Sequence, residues 1–213
     1  MESFLDQETC DKMLNVSRET SVKFEIYLKT LKKWQNNLNL VGTSTLDDPW
    51  RRHILDCGQI SRYIDQKDRE IIDLGSGAGL PGIVLSIMGY KNVLMVDSDF
   101  KKTVFILEAL RACRLKSTVL TDRVENLESL KNKTIVSRAF SSISKTLKLL
   151  REKIQKDTEL ILLKGKQAKK EIIDAEFYWK TNQFNDSKPL KPNFNAYKSL
   201  SNSKSFVVVC TFV

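Results

Sequence analysis

The sequence predicts an α/β fold in which a mostly parallel sheet is layered with helices and preceded by a helical cap. Three observations predict it. After Asp68, short β-rich runs alternate with helical stretches, the texture of a parallel sheet built from crossover units. A glycine-dense stretch from Gly75 to Gly82 joins the first of these runs to a helix. The chain has 213 residues, of which 41% are hydrophobic and 29% charged, so it can bury one large core but not two.

The cap comes first, over residues 1–68. From Phe24, apolar residues recur at Tyr27, Leu28, Leu31, Trp34 and Leu38, the three- and four-residue spacing of an amphipathic helix that Asn36, Asn37, Asn39 and Gly42 end. A second helix is expected with Asp48 as N-cap, Pro49 in its first position, and Trp50, Ile54, Cys57, Ile60 and Ile64 as its apolar stripe; His53 lies beside that stripe. These helices have too little apolar surface for a core of their own, so they belong against the main unit, 69–213. There the strands are expected at 70–74, 93–97, 117–121, 134–137 and 159–163, with a last one at 206–213. After residue 142, Ile143, Leu147, Leu150 and Ile154 share one helical face, with Lys145, Lys148 and Arg151 off it. The polar stretch 180–205, with Pro189 and Pro192, reads as a long, mobile connection.

Charge is unevenly placed. The whole chain carries 35 Lys and Arg against 26 Asp and Glu, a net of +9, yet residues 1–68 hold ten basic against eleven acidic side chains. Within 138–170 there are ten basic and three acidic residues, an asymmetry that suits a polyanionic partner. No apolar run approaches a membrane span and the N-terminus lacks the pattern of a secretory signal, so a cytoplasmic location is expected. The four cysteines are far apart and His53 is the one histidine, which supports neither a disulfide framework nor a metal site.

The glycine-rich turn, Asp73-Leu74-Gly75-Ser76-Gly77-Ala78-Gly79-Leu80-Pro81-Gly82, is where a nucleotide-like cofactor is expected, because glycines bring backbone N–H groups close to a ligand. Two registers compete. Gly77-x-Gly79-x-x-Gly82, with Asp97 twenty residues beyond Gly77, fits a dinucleotide fingerprint. Asp73-x-Gly75-x-Gly77-x-Gly79 resembles motif I of the S-adenosylmethionine-dependent methyltransferases, in which the acid helps orient the amino-acid end of the cofactor. A carboxylate at Asp73 would repel a pyrophosphate, which favours the sulfonium cofactor. Asp97 ends the second strand, placed either to accept hydrogen bonds from ribose hydroxyls or to cap the following helix. Asp122-Arg123-Val124-Glu125, after the third strand, is placed to reach an adenine or to form a plain helix-entry turn.

The acceptor atom is approached by elimination. Amine methylation of adenine or cytosine goes with an Asn/Asp-Pro-Pro-aromatic motif after the fourth strand, where this chain has Ser137-Arg138-Ala139-Phe140. Cytosine C5 chemistry goes with a Pro-Cys nucleophile, and no cysteine here follows a proline. A nitrogen with a free lone pair, such as guanine N7, needs no base, so no catalytic acid–base residue is expected.

Taken together, these residues resemble the bacterial glucose-inhibited-division protein B family of small-subunit ribosomal RNA guanine-N7 methyltransferases over nearly the whole chain. The resemblance rests on Trp34 with Asn37-Leu38-Asn39-Leu40, Arg52-His53-Ile54-Leu55-Asp56, Asp73 to Gly82, Asp97, Lys102, Arg123-Val124-Glu125, Ser137-Arg138-Ala139-Phe140 and Leu163-Lys164-Gly165. It implies a class I, Rossmann-like fold with a seven-stranded, mostly parallel sheet whose last strand is antiparallel. It also implies S-adenosylmethionine as cofactor and 16S ribosomal RNA or the small ribosomal subunit as partner. Family cofactor contacts carry over to Gly75, Leu80, Val124, Glu125 and Arg138, beside Asp73, Gly77, Gly79 and Asp97 from the motif itself. Candidate RNA contacts are Arg52, His53, Lys102 and Lys164. The family serine after His-Ile-Leu-Asp is Cys57 here. Two other readings of the turn stand beside this one, a nicotinamide- or flavin-dependent oxidoreductase and a non-catalytic RNA-binding module.

Overall fold

The computed structural model describes residues 4–65, 68–131, 133–182 and 190–213. Seven strands form one sheet: β1 (Glu70–Leu74), β2 (Val93–Asp97), β3 (Thr118–Thr121), β4 (Lys133–Arg138), β5 (Glu159–Lys164), β6 (Pro192–Lys198) and β7 (Phe206–Phe212). Their order is β3-β2-β1-β4-β5-β7-β6, with β1 to β5 parallel and β7 antiparallel to both neighbours. The order reverses between β1 and β4, so the crevice beyond their carboxyl ends is where an open α/β sheet takes its ligand.

Strand alternation sorts the core into two layers. Ile71, Met95, Val136, Ile161 and Val207 face one way, onto α4 (Gly82–Ile87), α5 (Phe100–Ala112) and the N-terminal helices; Ile72, Leu74, Val96, Ile135 and Leu162 face the other, onto α6 (Ile143–Leu150) and α7 (Ala168–Thr181). The predicted face of α6 is the buried one, with Ile143, Leu147 and Leu150 fully enclosed and Lys145 and Lys148 exposed. The N-terminal helices share the first layer. Phe24, Tyr27 and Leu31 of α2 (Arg18–Gln35) are fully buried, and Trp34 meets Phe105 of α5 edge-on at 5.8 Å between ring centres.

Several boundaries differ from expectation. A first helix, α1 (Gln7–Leu14), precedes the predicted pair, capped by Asp6, which accepts from the Thr9 N–H at 2.8 Å. α2 begins at Arg18, six residues before its apolar stripe, because Ser17 caps it. Asp48 does not cap the next segment: its carboxylate accepts from the Leu5 N–H at 3.1 Å and from Arg51 Nε at 2.8 Å. That segment winds as a π-helix over Trp50–Leu55, one α-turn, α3 (Asp56–Gly58), and a 3₁₀ stretch over Gln59–Tyr63. The expected connection 180–205 contains β6, which the pattern missed because an edge strand buries little and opens on a proline that need not donate to a neighbour. Residues 183–189 of that connection lie outside the described residues.

Candidate functional site

The turn after β1 is held from three sides. Gly75 has φ +63°, and a Cβ there would stand 2.4 Å from Phe140 Cδ2, so the backbone passes where no side chain fits. Asp73, fully buried under the turn, accepts from the Gly82 N–H through Oδ2 at 2.9 Å, while its Oδ1 is buried without a partner. Burial pushes this carboxyl up to about 7. From α2, the buried Tyr27 hydroxyl donates to Ala78 O at 2.9 Å and anchors the turn against the cap. Neither Asp73 nor Gly79 lines the two cavities at this turn; a Cβ on Gly79 would meet Ile83 Cδ1 at 2.4 Å, so this glycine lets the turn pack on α4.

Two cavities meet at this turn. One of about 420 Å³ runs from Gly75 and Asp97 past Ser98, Asp122, Arg123, Val124 and Glu125 to Phe140 and Lys145. The other, of about 280 Å³, runs from Gly75 and Gly77 past Leu80 to Arg138 and is closed by Leu40, Val41 and Gly42 from the cap. Gly75, Asp97, Lys102 and Ala139 line both. Asp97 is nearly buried and accepts from the Gly77 N–H at 2.8 Å through Oδ2 and from the Asp99 N–H at 2.9 Å through Oδ1. It therefore shapes both loops at the cavity junction, and capping of α5 falls instead to Asp99, which accepts from the Lys101 N–H. Each Asp97 oxygen has a further lone pair for a hydroxyl donor.

Arg138, at the carboxyl end of β4, ties this junction to the segment over residues 50–58. Its Nη1 donates to Arg52 O at 2.9 Å and to Cys57 Sγ at 3.5 Å; Nη1 and Nη2 stand 3.4 and 3.3 Å from His53 Nδ1; and Asp56 Oδ2 lies at 3.6 Å. Two of the residues expected at an RNA surface are consumed inside the protein. His53 has no exposed surface, so it is not an RNA contact. Burial, then the Arg138 and Arg52 charges, push its pKa down to about 3. Lys164 keeps only a little exposed surface and is committed within the protein: its Nζ donates to Ser141 O and to Glu171 Oε2 at 2.9 Å, a clamp between β5 and α7. Arg52 is exposed, and the nearby carboxylate Asp56 faces Arg138. Lys102 reaches both cavities.

Sequence reasoning assigns Leu40, Val41 and Gly42 no part in the site: Gly42 reads as a helix stop and Leu40 only as one of the residues behind the resemblance. Gln35 fixes this loop, accepting from the Leu40 and Val41 N–H groups at 3.0 Å and donating to Val41 O at 2.8 Å. Beside the 420 Å³ cavity, Lys145, Lys148, Arg151 and Lys153 rim a third, of about 620 Å³, that shares Glu125, Lys145 and Leu149 with it. Arg151 lies over the Trp179 ring, 5.5 Å from its centre. All four cysteines are buried; burial pushes the thiols of Cys10 and Cys57 up to about 12 and that of Cys113 to about 11. Among the described residues no cluster of His, Cys, Asp and Glu is arranged to hold a metal, and no helix is long and apolar enough to cross a membrane.

Residues 20–193 match the family model of rRNA small subunit methyltransferase G. Two curated relatives bear the name ribosomal RNA small subunit methyltransferase G. The one from Orientia tsutsugamushi (strain Boryong) is 40% identical over 194 residues, 91% of each chain. That from Rhodospirillum rubrum is 39% identical over 164 residues, 77% of this chain and 82% of the relative. A solved SAM-dependent methyltransferase from Aquifex aeolicus superposes with a TM-score of 0.57 at 17% identity, over 80% of this chain and 96% of its own, which bears on the fold.

Proposed function

From the premise that the chain belongs to the rRNA small subunit methyltransferase G family, we propose that it methylates N7 of a guanine in 16S ribosomal RNA with S-adenosylmethionine held across the two joined cavities. The observation that carries the cofactor assignment is the buried Asp73 Oδ1, without a hydrogen-bond partner among the described residues, just behind Gly75, where the backbone passes too close to Phe140 for a side chain. Leaving such an acceptor dry costs stability, and a cationic amine from the ligand is the partner that offsets it. A pyrophosphate in the same place would add a second negative charge, so the dinucleotide reading is not favoured. The adenosine end is assigned to the cavity of Val124 and Glu125, its ribose to Asp97, and the amino-acid end to the cavity of Gly77, Leu80 and Arg138.

When bound, the cofactor supplies a sulfonium methyl group that an in-plane lone pair can take without losing a proton. The chain's own task is then to bind and align. Its side chains fit that division of labour: the thiols are buried and protonated, which removes a cysteine nucleophile, and His53 is neutral and enclosed, which removes an imidazole base. Lys102 stands at the cavity junction, while the exposed Lys145 and Lys148 with Lys153 extend a cationic track along α6 for the phosphate backbone. Arg52 adds a charge beside Arg138. The track replaces Lys164 and His53 as the RNA-facing set. The reaction belongs in the cytoplasm, where ribosomal RNA is met.

Calorimetry with S-adenosylhomocysteine and with NADH, side by side, tests the cofactor reading. Saturable binding of the first and none of the second is expected; the reverse would return the turn to the dinucleotide class.

A further inference from the structure

Arg138 does two things at once in this structure: it lines the smaller cavity and it is held almost entirely by groups that carry no charge. Among the described residues the one carboxylate within 4 Å of it, Asp56, is at 3.6 Å through a single oxygen, and the other oxygen of Asp56 is engaged by the Ser201 hydroxyl from the β6–β7 connection. The guanidinium therefore keeps positive charge toward the cavity, and its direction is set by its neutral acceptors. One of these is His53 Nδ1, 3.3 and 3.4 Å from the two terminal nitrogens. A guanidinium has no acceptor, so hydrogen bonding across these distances requires a bare lone pair on Nδ1 and leaves the ring proton on Nε2. On that side Thr45 Oγ1 lies at 3.1 Å and, having accepted from Nε2–H, donates its own proton to Gly42 O at 2.6 Å. Gly42 belongs to the cap loop that closes the same cavity. The chain Arg138 to His53 to Thr45 to Gly42 thus has one consistent proton direction from the end of β4 to the cavity's opposite wall.

We infer that His53 is a positioning residue: as the Nε2–H tautomer it sets the direction of Arg138 and fixes the 40–42 loop, so that both walls of the smaller cavity are held in register for the cofactor's amino-acid end. The inference rests on the cofactor reading above for what the cavity holds, and on geometry alone for the network. It also gives a reason for the enclosure of the one histidine in the chain. A lysine or arginine at this position could not accept from Arg138, whereas imidazole accepts at one nitrogen and donates at the other without acquiring a charge.

Because there is one histidine, selectively ¹⁵N-labelled histidine gives a single imidazole, and its two nitrogen shifts report the tautomer directly in the whole protein with no ligand present. The expected result is a protonated Nε2 and a bare Nδ1. A proton on Nδ1 overturns the network. The binding role is read by calorimetry with S-adenosylhomocysteine on substituted proteins. His53→Asn keeps an acceptor near the Nδ1 position and is expected to stay within threefold of wild-type affinity. His53→Gln keeps a group near Nε2 but no acceptor for Arg138, and His53→Leu keeps neither; both are expected to bind tenfold or more weakly. Equal affinity across the three overturns the positioning role, and if His53→Leu does not fold, the Asn and Gln pair decides. A wild type that does not bind S-adenosylhomocysteine at all overturns the cofactor reading, while the nitrogen shifts still judge the network.

Discussion

Asp73→Asn should make the ligand-free protein more stable above neutral pH and at the same time remove its cofactor binding. The Asp73 carboxyl rises from its ordinary 3.8 to about 7, first because burial disfavours the charge. A raised folded-state pKa means that between these values the folded protein holds a proton which the unfolded chain has lost, so stability declines as pH rises through the window. At about 1.4 kcal/mol per pH unit, the interval corresponds to about 4 kcal/mol, fully felt at pH 8 and absent near pH 4. Asparagine keeps the acceptor for the Gly82 N–H and is neutral at every pH. For a chain of this length 1 kcal/mol moves the melting point by about 2–4 °C, so the variant should melt roughly 10 °C above wild type at pH 8. The gap should close toward pH 4–5. His53, whose lowered pKa makes stability fall as pH drops from 6.5 toward about 3, acts equally in both proteins and cancels in the difference. The assay is thermal melting by circular dichroism at half-unit pH steps, without and with S-adenosylhomocysteine. Saturating ligand should raise the wild-type melting point at pH 8 and leave the variant unmoved. A variant that melts at or below wild type at both ends of the range, or that gains from the ligand as wild type does, would refute the account of Asp73 as an orphaned carboxylate awaiting a cation.

Gly75→Asp should abolish S-adenosylhomocysteine binding in calorimetry while the protein still folds, since it forces a side chain against Phe140 at a positive φ; retained affinity would place the cofactor elsewhere. Replacing Lys145 and Lys148 together with glutamate should weaken RNA binding at least tenfold and flatten its dependence on salt, measured by filter binding from 50 to 200 mM KCl, on the order of the loss expected for two phosphate contacts. Lys164→Ala should instead lower the melting point and leave the salt slope unchanged, because its ammonium is spent on Ser141 and Glu171. Single-turnover methylation at saturating RNA and cofactor should be nearly flat between pH 6 and 8, since His53, at about 3, has no proton to exchange there and the amine of the bound cofactor holds Asp73 ionised; a tenfold gain per pH unit that His53→Gln abolishes would make it a base.

The parallel half of the fold was legible because β1, β2, β4 and β5 are largely buried and read as short apolar runs between helices, while the exposed edge strand β3 was marked by its place in the alternation; all five fall within a residue of the expected bounds. β6 was not, because most of its residues are exposed and Asn193, Asn195 and Lys198 break up the apolar Phe194, Ala196 and Tyr197 inside a proline-bearing polar stretch. α1 was hidden in the same way, with Cys10 and Leu14 its only buried residues. In the site, Gly75, Gly77, Leu80, Asp97, Val124, Glu125 and Arg138 line the cavities as their motif positions suggest. Charge alone misled at Lys164 and His53: sequence shows that a residue can be cationic, but whether a carboxylate or a guanidinium waits beside it depends on chain crossings of 7 and 85 residues. The part played by Leu40-Val41-Gly42 in the site was missed for the opposite reason, the loop having no chemistry of its own and entering the site through where Gln35 holds it.

Methylation at guanine N7 is tested most directly by incubating the protein with unmethylated small-subunit RNA and cofactor labelled in its methyl group, then mapping the modified base by borohydride reduction and aniline cleavage. Label in RNA with strand scission at one guanine, the signature of a methyl on N7, is the predicted result. Label on an exocyclic amine or a ring carbon with no scission, or no transfer to RNA from a protein that binds S-adenosylhomocysteine, would contradict it.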